Sequence, residues 1–446
     1  MQPSTPTENL DVLIIGGGLA GLSAARHLTA AGRSVAVIEA RGRTGGRSHT
    51  HRLADGRTID LGAQLIGDVQ TRVSDLVDEV GLTRVAPNSE GDVLHVPSPG
   101  APSRRLRNDR DGLGALGLLD LLQAGWRSGA QMRKLGTADA GRLDGVTAAE
   151  YLRGLTFLDS SYEFLISLLE DNMCVPLDEI SAYEVLEQVG AAGGLEAIGA
   201  SEQWFLAEGT QPIADHLESL LAAPVVHNAP VERLDVGDDG VVAVAGATTY
   251  RARHAVVAVP PQFYDALGLA DLLDDSRRRA LADWVRADVV KTVLVFEAPF
   301  WRSDGLSGLF HTPGGFANST MDCSPADASA GVLVLFSTST TARQLRDIAD
   351  EQERMTLAIA WLRELLGDDV PSPVAGRSID WSGDPWSLGG YASHRGIGGW
   401  TSAPDLFTPV GPLHFAGTET ADEWRGFMEG ALQSGERAAA EILATP

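Results

Sequence analysis

A glycine triplet set between a buried strand and a helix governs how this chain can fold: Asp11-Val-Leu-Ile-Ile-Gly16-Gly-Gly18-Leu-Ala-Gly21-Leu. Val12 to Ile15 form an unbroken apolar run, the pattern of a strand buried on both faces. Leu22, Ala25 and Leu28 then recur at helical spacing. Gly16 makes the tight turn, Gly18 lets backbone approach a pyrophosphate, and Gly21 lets helix and strand pack closely. The helix N-terminus is left aimed at the phosphates. A second apolar run, Ser34 to Ile38, ends at Glu39, 18 residues beyond Gly21, where a carboxylate can hold ribose hydroxyls. Strand, glycines, helix, strand and acid together predict a dinucleotide-binding unit.

A chain of 446 residues is too long for one simple core, so two or three domains are expected. No apolar run reaches the ~20 residues that cross a bilayer. The N-terminus lacks the basic region and apolar core of a signal peptide. The only cysteines, Cys174 and Cys323, lack metal-type spacing and fit a reducing compartment. The location expected is therefore cytoplasmic, without a membrane partner. A formal charge of −25 argues against nucleic acid and favours the approach of cations, or serves solubility alone. His49 and His51 alternate without further ligands nearby, so no metal site is expected.

Beyond Glu39, Arg41, Arg43 and Arg47 stand among Gly42, Gly45 and Gly46, a loop suited to a pyrophosphate. Asp60-Leu-Gly62-Ala63-Gln64-Leu65-Ile66-Gly67 follows, a small-residue turn where backbone can lie against a flat ring. In this order the three motifs resemble the N-terminus of the flavin-dependent amine oxidases. The resemblance implies an α/β fold: a Rossmann-like, glutathione-reductase-like FAD-binding domain and a discontinuous α+β substrate-binding domain. It assigns residues 8–86, 206–284 and 385–446 to the first and 87–205 and 285–384 to the second. FAD contacts are expected from Gly16, Gly18, Gly21, Glu39, Arg41, Gly46, Arg47, Gln64 and Leu65, and from Val231 beside the adenine region.

Local signals place the remaining landmarks. Residues 68–86 predict a helix closed by Gly81, and Thr147 with Glu150 predicts a capping box. A helix over 162–170 is expected to be interrupted from Asn172, and Asp238-Asp-Gly240 to turn a hairpin. Asn172 reads equally as a turn residue or as one facing substrate. Lys291 lies in the apolar run Val289 to Phe296, so it either faces solvent from an alternating strand or is a buried ammonium needing compensation. Its stretch, ending Pro299-Phe300-Trp301, resembles the family segment whose lysine reaches a water beside flavin N5, which implies a catalytic role for Lys291.

Trp381 to Ser393 resembles the family's Trp-x(4)-Trp-Ser-x-Gly-Gly segment, implying that Trp386 meets the flavin. Tyr391 follows the glycine pair where covalent-flavin relatives have cysteine, and neither cysteine is near it in sequence, so non-covalent FAD is expected. Phe415-Ala-Gly-Thr-Glu419 and Gly426-Phe427-Met428-Glu429-Gly430 complete the match, with a helix expected from Gly430 to Leu443. Glu419, Phe427 and Met428 are implied flavin contacts. Tyr391 and Phe427 are implied to be the aromatic pair guiding an amine, although both also read as core aromatics.

The resemblance thus implies an FAD-dependent amine oxidase. A hydride passes from the amine to flavin N5, and the resulting imine hydrolyses to aldehyde or ketone plus ammonia or a smaller amine. Dioxygen becomes hydrogen peroxide. An L-amino acid oxidase, with Arg395 or Arg425 anchoring the carboxylate, another dehydrogenase of this fold, and a non-enzymatic FAD-holding scaffold are the alternatives. The sequence leaves a homodimer open.

Overall fold

The computed structural model describes residues 10–98, 100–108, 111–137, 140–237 and 239–445. β1 (Leu10–Ile15) runs into Gly16, α1 (Leu19–Ala30) returns across the sheet, and β2 (Val35–Ile38) lies parallel to β1. On its other side β1 pairs in parallel with β3 (Thr248–Val257), which pairs in turn with Leu413–Phe415. An antiparallel hairpin, Arg233–Gly237 and Gly240–Ala245, completes six strands. Asp238 of that turn lies outside the described residues, as do residues 8 and 446 at the expected domain bounds.

The continuous apolar run of β1 reflects burial on both faces. Val12 and Ile14 pack with α1 and the C-terminal helix Met428–Ala444. Leu13 and Ile15 pack with Leu234, Val241, Tyr264 and Phe415 on the opposite face. Each such side chain contributes roughly 1.5–3 kcal/mol by leaving water. The parallel strands all end on one edge, where Gly16, Glu39 and Gly417 follow them. That edge is where open α/β sheets bind ligands.

A second sheet of seven strands is centred on β4 (Val289–Phe296). β5 (Gly331–Thr338) and β6 (Ala375–Asp380) flank it antiparallel, with Lys291 opposite Phe336 and Ile379. Every residue of β4 is buried, so Lys291 does not face solvent. Helix Glu351–Leu366 packs Ala358 and Leu362 against Leu294, Phe296 and Leu333 of this sheet.

In the helical segment between the sheets, Thr147 and Glu150 form the expected capping box. α2 (Asp159–Met173) is longer than its periodicity suggested, and Asn172 lies inside its last turn rather than interrupting it. The break falls at Cys174, whose backbone turns left-handed (φ 58°) two residues before Pro176. α3 (Ala182–Ala191) follows, N-capped by Ser181. The C-terminal helix starts at Met428, two residues earlier than expected. Gly430 sits in its first turn because a Cβ there would lie 2.2 Å from the Trp424 carbonyl oxygen. Among the described residues no helix is long and apolar enough to cross a membrane.

Candidate active site

The glycine turn and the loop after β2 build one cradle. Gly45 N–H donates to Gly17 O at 2.9 Å, and a Cβ on Gly46 would lie 3.3 Å from the Gly18 Cα. Gly18 caps α1 without a side-chain hydrogen bond, and the first turn of α1 is buried and holds no acid. Orphan N–H groups at a buried helix end need an acceptor, and a phosphate group meets that need. The C-terminal helix likewise begins buried and without a side-chain cap, at Phe427. These two helix ends fit the FAD that the sequence motifs imply.

Glu39, at the end of β2, accepts from Gly17 N–H and from Arg41 N–H, each at 2.7 Å. It thereby fixes both the glycine turn and the arginine loop, leaving further lone pairs for a ribose. Arg43 donates to the carbonyls of Thr44, Gly46 and Ser48, so it braces the loop; burial lowers its pKa to about 10. Arg41 pairs with Asp384 and donates to Ser387 Oγ at 2.8 Å, tying the loop to the segment before Tyr391.

Gly21 is where this cradle is least tolerant. A Cβ there would lie 2.0 Å from the Gly16 carbonyl oxygen, so Gly21→Ala must displace the turn itself. The variant is expected to be purified without its yellow flavin, read from the ratio of absorbance at 450 nm to protein.

Arg47 joins the two ends of the chain. Its guanidinium donates to both Glu419 carboxylate oxygens, at 2.6 and 2.9 Å, and to Tyr391 O at 2.8 Å. Glu419 also accepts from Ser393 N–H at 3.2 Å. Burial alone would raise the Glu419 pKa, but the charge and hydrogen bonds of Arg47 hold it below its ordinary value. Met428 is buried, and Phe427 meets Trp424 edge-on with ring centroids 5.3 Å apart. Val231 packs at the margin of the β3 core, Leu65 packs at the margin of the cluster around Val293, and Trp386 is 39% exposed.

Lys291 Nζ donates to Gly62 O at 2.9 Å and to Gln64 Oε1 at 2.7 Å. Gln64 in turn donates to Cys323 Sγ at 3.0 Å. The Asp60-Leu-Gly62 turn is pinned to the second sheet again by Trp381 Nε1, which donates to Leu61 O at 2.8 Å. Burial lowers the Lys291 pKa to about 8, against the opposing pull of Asp60. A buried ammonium that can lose its proton near neutral pH sits where the two sheets meet.

Both cysteines belong to this region, although sequence distance separated them from it. Cys323 accepts from Gln64, and Cys174, whose thiol donates to Asp171 O at 3.6 Å, lies beside the Tyr391 backbone. The turn after α2 packs under the Tyr391 segment, which is what brings Cys174 there. Burial pushes both thiols up, so each is held protonated. His394 ties the same segment down through Met173 O at 2.8 Å and Glu184 at 3.1 Å. Asp171 and Glu202 also lie near Tyr391, and sequence reasoning passed over both; each is an ordinary surface-type acid in a helical pattern.

Arg395 and Arg425 are not available to a substrate carboxylate. Arg395 donates to Gly399 O and Ala403 O and lies 4.0 Å over the Trp400 ring. Arg425 pairs with Glu187 at 2.6 Å.

Comparisons with known proteins agree with this geometry. A family model described as flavin containing amine oxidoreductase matches residues 19–443. The protein named flavin-containing monoamine oxidase AofH in Mycobacterium tuberculosis is 32% identical over 452 residues, covering 99% of this chain and 98% of that one. Amine oxidase [flavin-containing] B of Sus scrofa is 30% identical, over 97% of this chain and 86% of its own. Among solved structures, putrescine oxidase bound to putrescine superposes with a TM-score of 0.89 at 28% identity, covering 98% of this chain and all of that one (100%). Cyclohexylamine oxidase from Brevibacterium oxydans shares the fold, with a TM-score of 0.87 at 24% identity, over 97% of this chain and 98% of that one.

Proposed function

Because the chain belongs to the flavin containing amine oxidoreductase family and is an FAD-dependent amine oxidase, we propose that it oxidises amines lacking an α-carboxylate, using the residues assembled around Lys291. Bound FAD supplies the redox chemistry, taking a hydride equivalent from the amine α-carbon and returning the electrons to dioxygen as peroxide. The engagement of both Arg395 and Arg425 inside the protein carries the substrate reading, since a carboxylate buried without a cation is strongly disfavoured.

In this reading the α1 N-terminus with Gly16, Gly18 and Gly46 holds the pyrophosphate, Glu39 the ribose, and Val231 the adenine end. Arg41, Arg47, Gln64, Leu65, Trp386, Glu419, Phe427 and Met428 surround the rest of the cofactor. Lys291 keeps positive charge beside the flavin ring and holds a water or dioxygen there. Tyr391 and Phe427 orient the amine, with Asn172 lining the cavity. The fully buried thiol of Cys174 and the tyrosine at 391, rather than a cysteine, after the Gly389-Gly390 pair support non-covalent FAD. The free, buried cysteines support a cytoplasmic setting. The strands of the first sheet fall in segments 8–86, 206–284 and 385–446, supporting that division into FAD-binding and substrate-binding domains.

The test is anaerobic mixing with aromatic monoamines, aliphatic diamines, cyclic amines and amino acids while following flavin absorbance. Bleaching by amines and not by amino acids is expected, with peroxide formed on admitting air. Bleaching by amino acids alone would overturn the carboxylate-free assignment.

A further inference from the structure

Two helix ends meet at one buried histidine. His394 follows Tyr391 by three residues, and Val285 takes both of its backbone groups, the N–H at 2.8 Å and the C=O at 2.9 Å. The side chain points inward and is 1% exposed. Its Nε2 donates to the carbonyl of Met173, the last residue of α2, at 2.8 Å. Its Nδ1 lies 3.1 Å from a carboxylate oxygen of Glu184, in the first turn of α3. Glu184 is itself held in place. Its other oxygen accepts from Trp400 Nε1 at 2.6 Å, and Tyr183 stacks on that indole.

Both ring nitrogens face acceptors, whereas a neutral imidazole offers one N–H and one lone pair. His394 therefore carries both protons and pairs as a cation with the Glu184 carboxylate. Burial alone would raise the Glu184 pKa, but the hydrogen bond and charge of His394, with the charge of Arg425, hold it below its ordinary value. Each charge sits at the helix end that suits it, the cation at the C-terminus of α2 and the anion at the N-terminus of α3. Stability does not account for the pair, because apolar residues packed in place of a buried ion pair often serve as well. What the pair supplies is one fixed geometry. The helix end that it grips carries Asn172, and the segment that it grips from carries Tyr391.

We propose that His394, paired with Glu184, is a positioning residue for amine oxidation: it locks the end of α2 to the Tyr391 segment and so sets the width of the cavity between Asn172 and Tyr391. The proposal rests on the reading that these two residues line the substrate cavity. With 1% of its surface open, His394 has no contact of its own to offer a substrate or a flavin. It acts only through the walls that it joins. Its effect is therefore confined to the half-reaction in which the amine α-carbon must stand close to the flavin. Reaction of the reduced enzyme with dioxygen, which uses Lys291 and no amine, is left alone.

The experiment compares His394→Gln with His394→Asn on the FAD-loaded enzyme by stopped flow, one half-reaction at a time. The glutamine amide reaches the place of Nε2 and can keep the Met173 carbonyl. The asparagine amide reaches only the place of Nδ1 and can keep only Glu184. With the amine that bleaches wild type fastest, the limiting rate of flavin reduction is expected to fall about 10²-fold in His394→Asn, the scale of an ångström of misplacement, and to stay close to wild type in His394→Gln. Reoxidation by dioxygen is expected to be unchanged in both. Equal reduction rates in the two variants, or a matching loss in both half-reactions, would overturn the proposal while leaving the oxidase reading intact. If His394→Asn does not retain FAD, His394→Leu, which keeps bulk without either bond, is measured in its place. Loss of flavin from both would also overturn the proposal, by assigning His394 to folding alone. Failure of every amine to reduce the wild-type flavin would overturn the cavity reading and the proposal with it.

Discussion

Replacing Arg47 with alanine is expected to cost about 3–5 kcal/mol of stability, the usual penalty for removing one partner of a buried ion pair. Glu419 is 2% exposed and would lose two charge-assisted hydrogen bonds at once. The Tyr391 carbonyl would lose its guanidinium partner as well. The pH dependence identifies the cause. In the wild type the folded-state pKa of Glu419 is depressed, so its contribution is present above its ordinary value of 4.5 and is lost as pH falls through the folded value. Without Arg47, burial dominates and the folded pKa rises above 4.5. The variant then loses stability as pH rises from about 4 toward neutrality. Thermal or denaturant unfolding across that range, with Arg47→Ala destabilised least at acid pH, checks the assignment. A uniform loss at all pH values would mean that packing rather than charge was removed.

Lys291→Met is expected to slow reoxidation of the reduced enzyme by dioxygen roughly 10²-fold, the scale for removing one preorganised electrostatic stabiliser. Methionine matches the buried stem and retains its packing against Phe336, so the fold should persist. Reduction by the amine should change only a few-fold, because Lys291 donates to Gly62 O and Gln64 rather than to the aromatic wall. Stopped-flow measurement of each half-reaction separates the two. In the wild type the oxygen reaction should weaken as pH rises through about 8, where Lys291 loses its proton, and Lys291→Met should abolish that dependence. Removing the opposing charge with Asp60→Asn should move the transition to lower pH, since Asp60 raises the Lys291 pKa.

The sequence exposed the parts of this protein that are local. A strand, a glycine turn and a helix are contiguous, so Val12 to Leu28 could be read without tertiary knowledge. The capping box at Thr147 depends on four consecutive residues and was equally legible. Lys291 was not decidable by pattern, because an apolar run with one ammonium suits a half-exposed strand and a buried one alike. Only the Gly62–Gln64 turn, packed over that face of β4 and accepting from the ammonium, settles which it is. The same holds for Arg395 and Arg425, whose availability depends on Trp400, Ala403 and Glu187. Asp171 and Glu202, and the place of Cys174 beside Tyr391, escaped notice for a related reason. Their neighbours come from Tyr391, Thr338 and the Gln64 segment, far along the chain, and no spacing rule records those meetings.

The pairing of β3 with Leu413–Phe415, and of Arg47 with Glu419, bears on how the protein is made. A ribosome delivers Arg47, soon after the glycine turn, 372 residues before Glu419, the carboxylate that Arg47 holds. Until Phe415 and Glu419 have emerged, the parallel sheet lacks its final strand and Arg47 lacks its partner. The nascent chain must therefore carry an unfinished nucleotide fold through most of its synthesis. Cofactor capture becomes a late event, and termination before Met428 removes the C-terminal helix against which α1 packs.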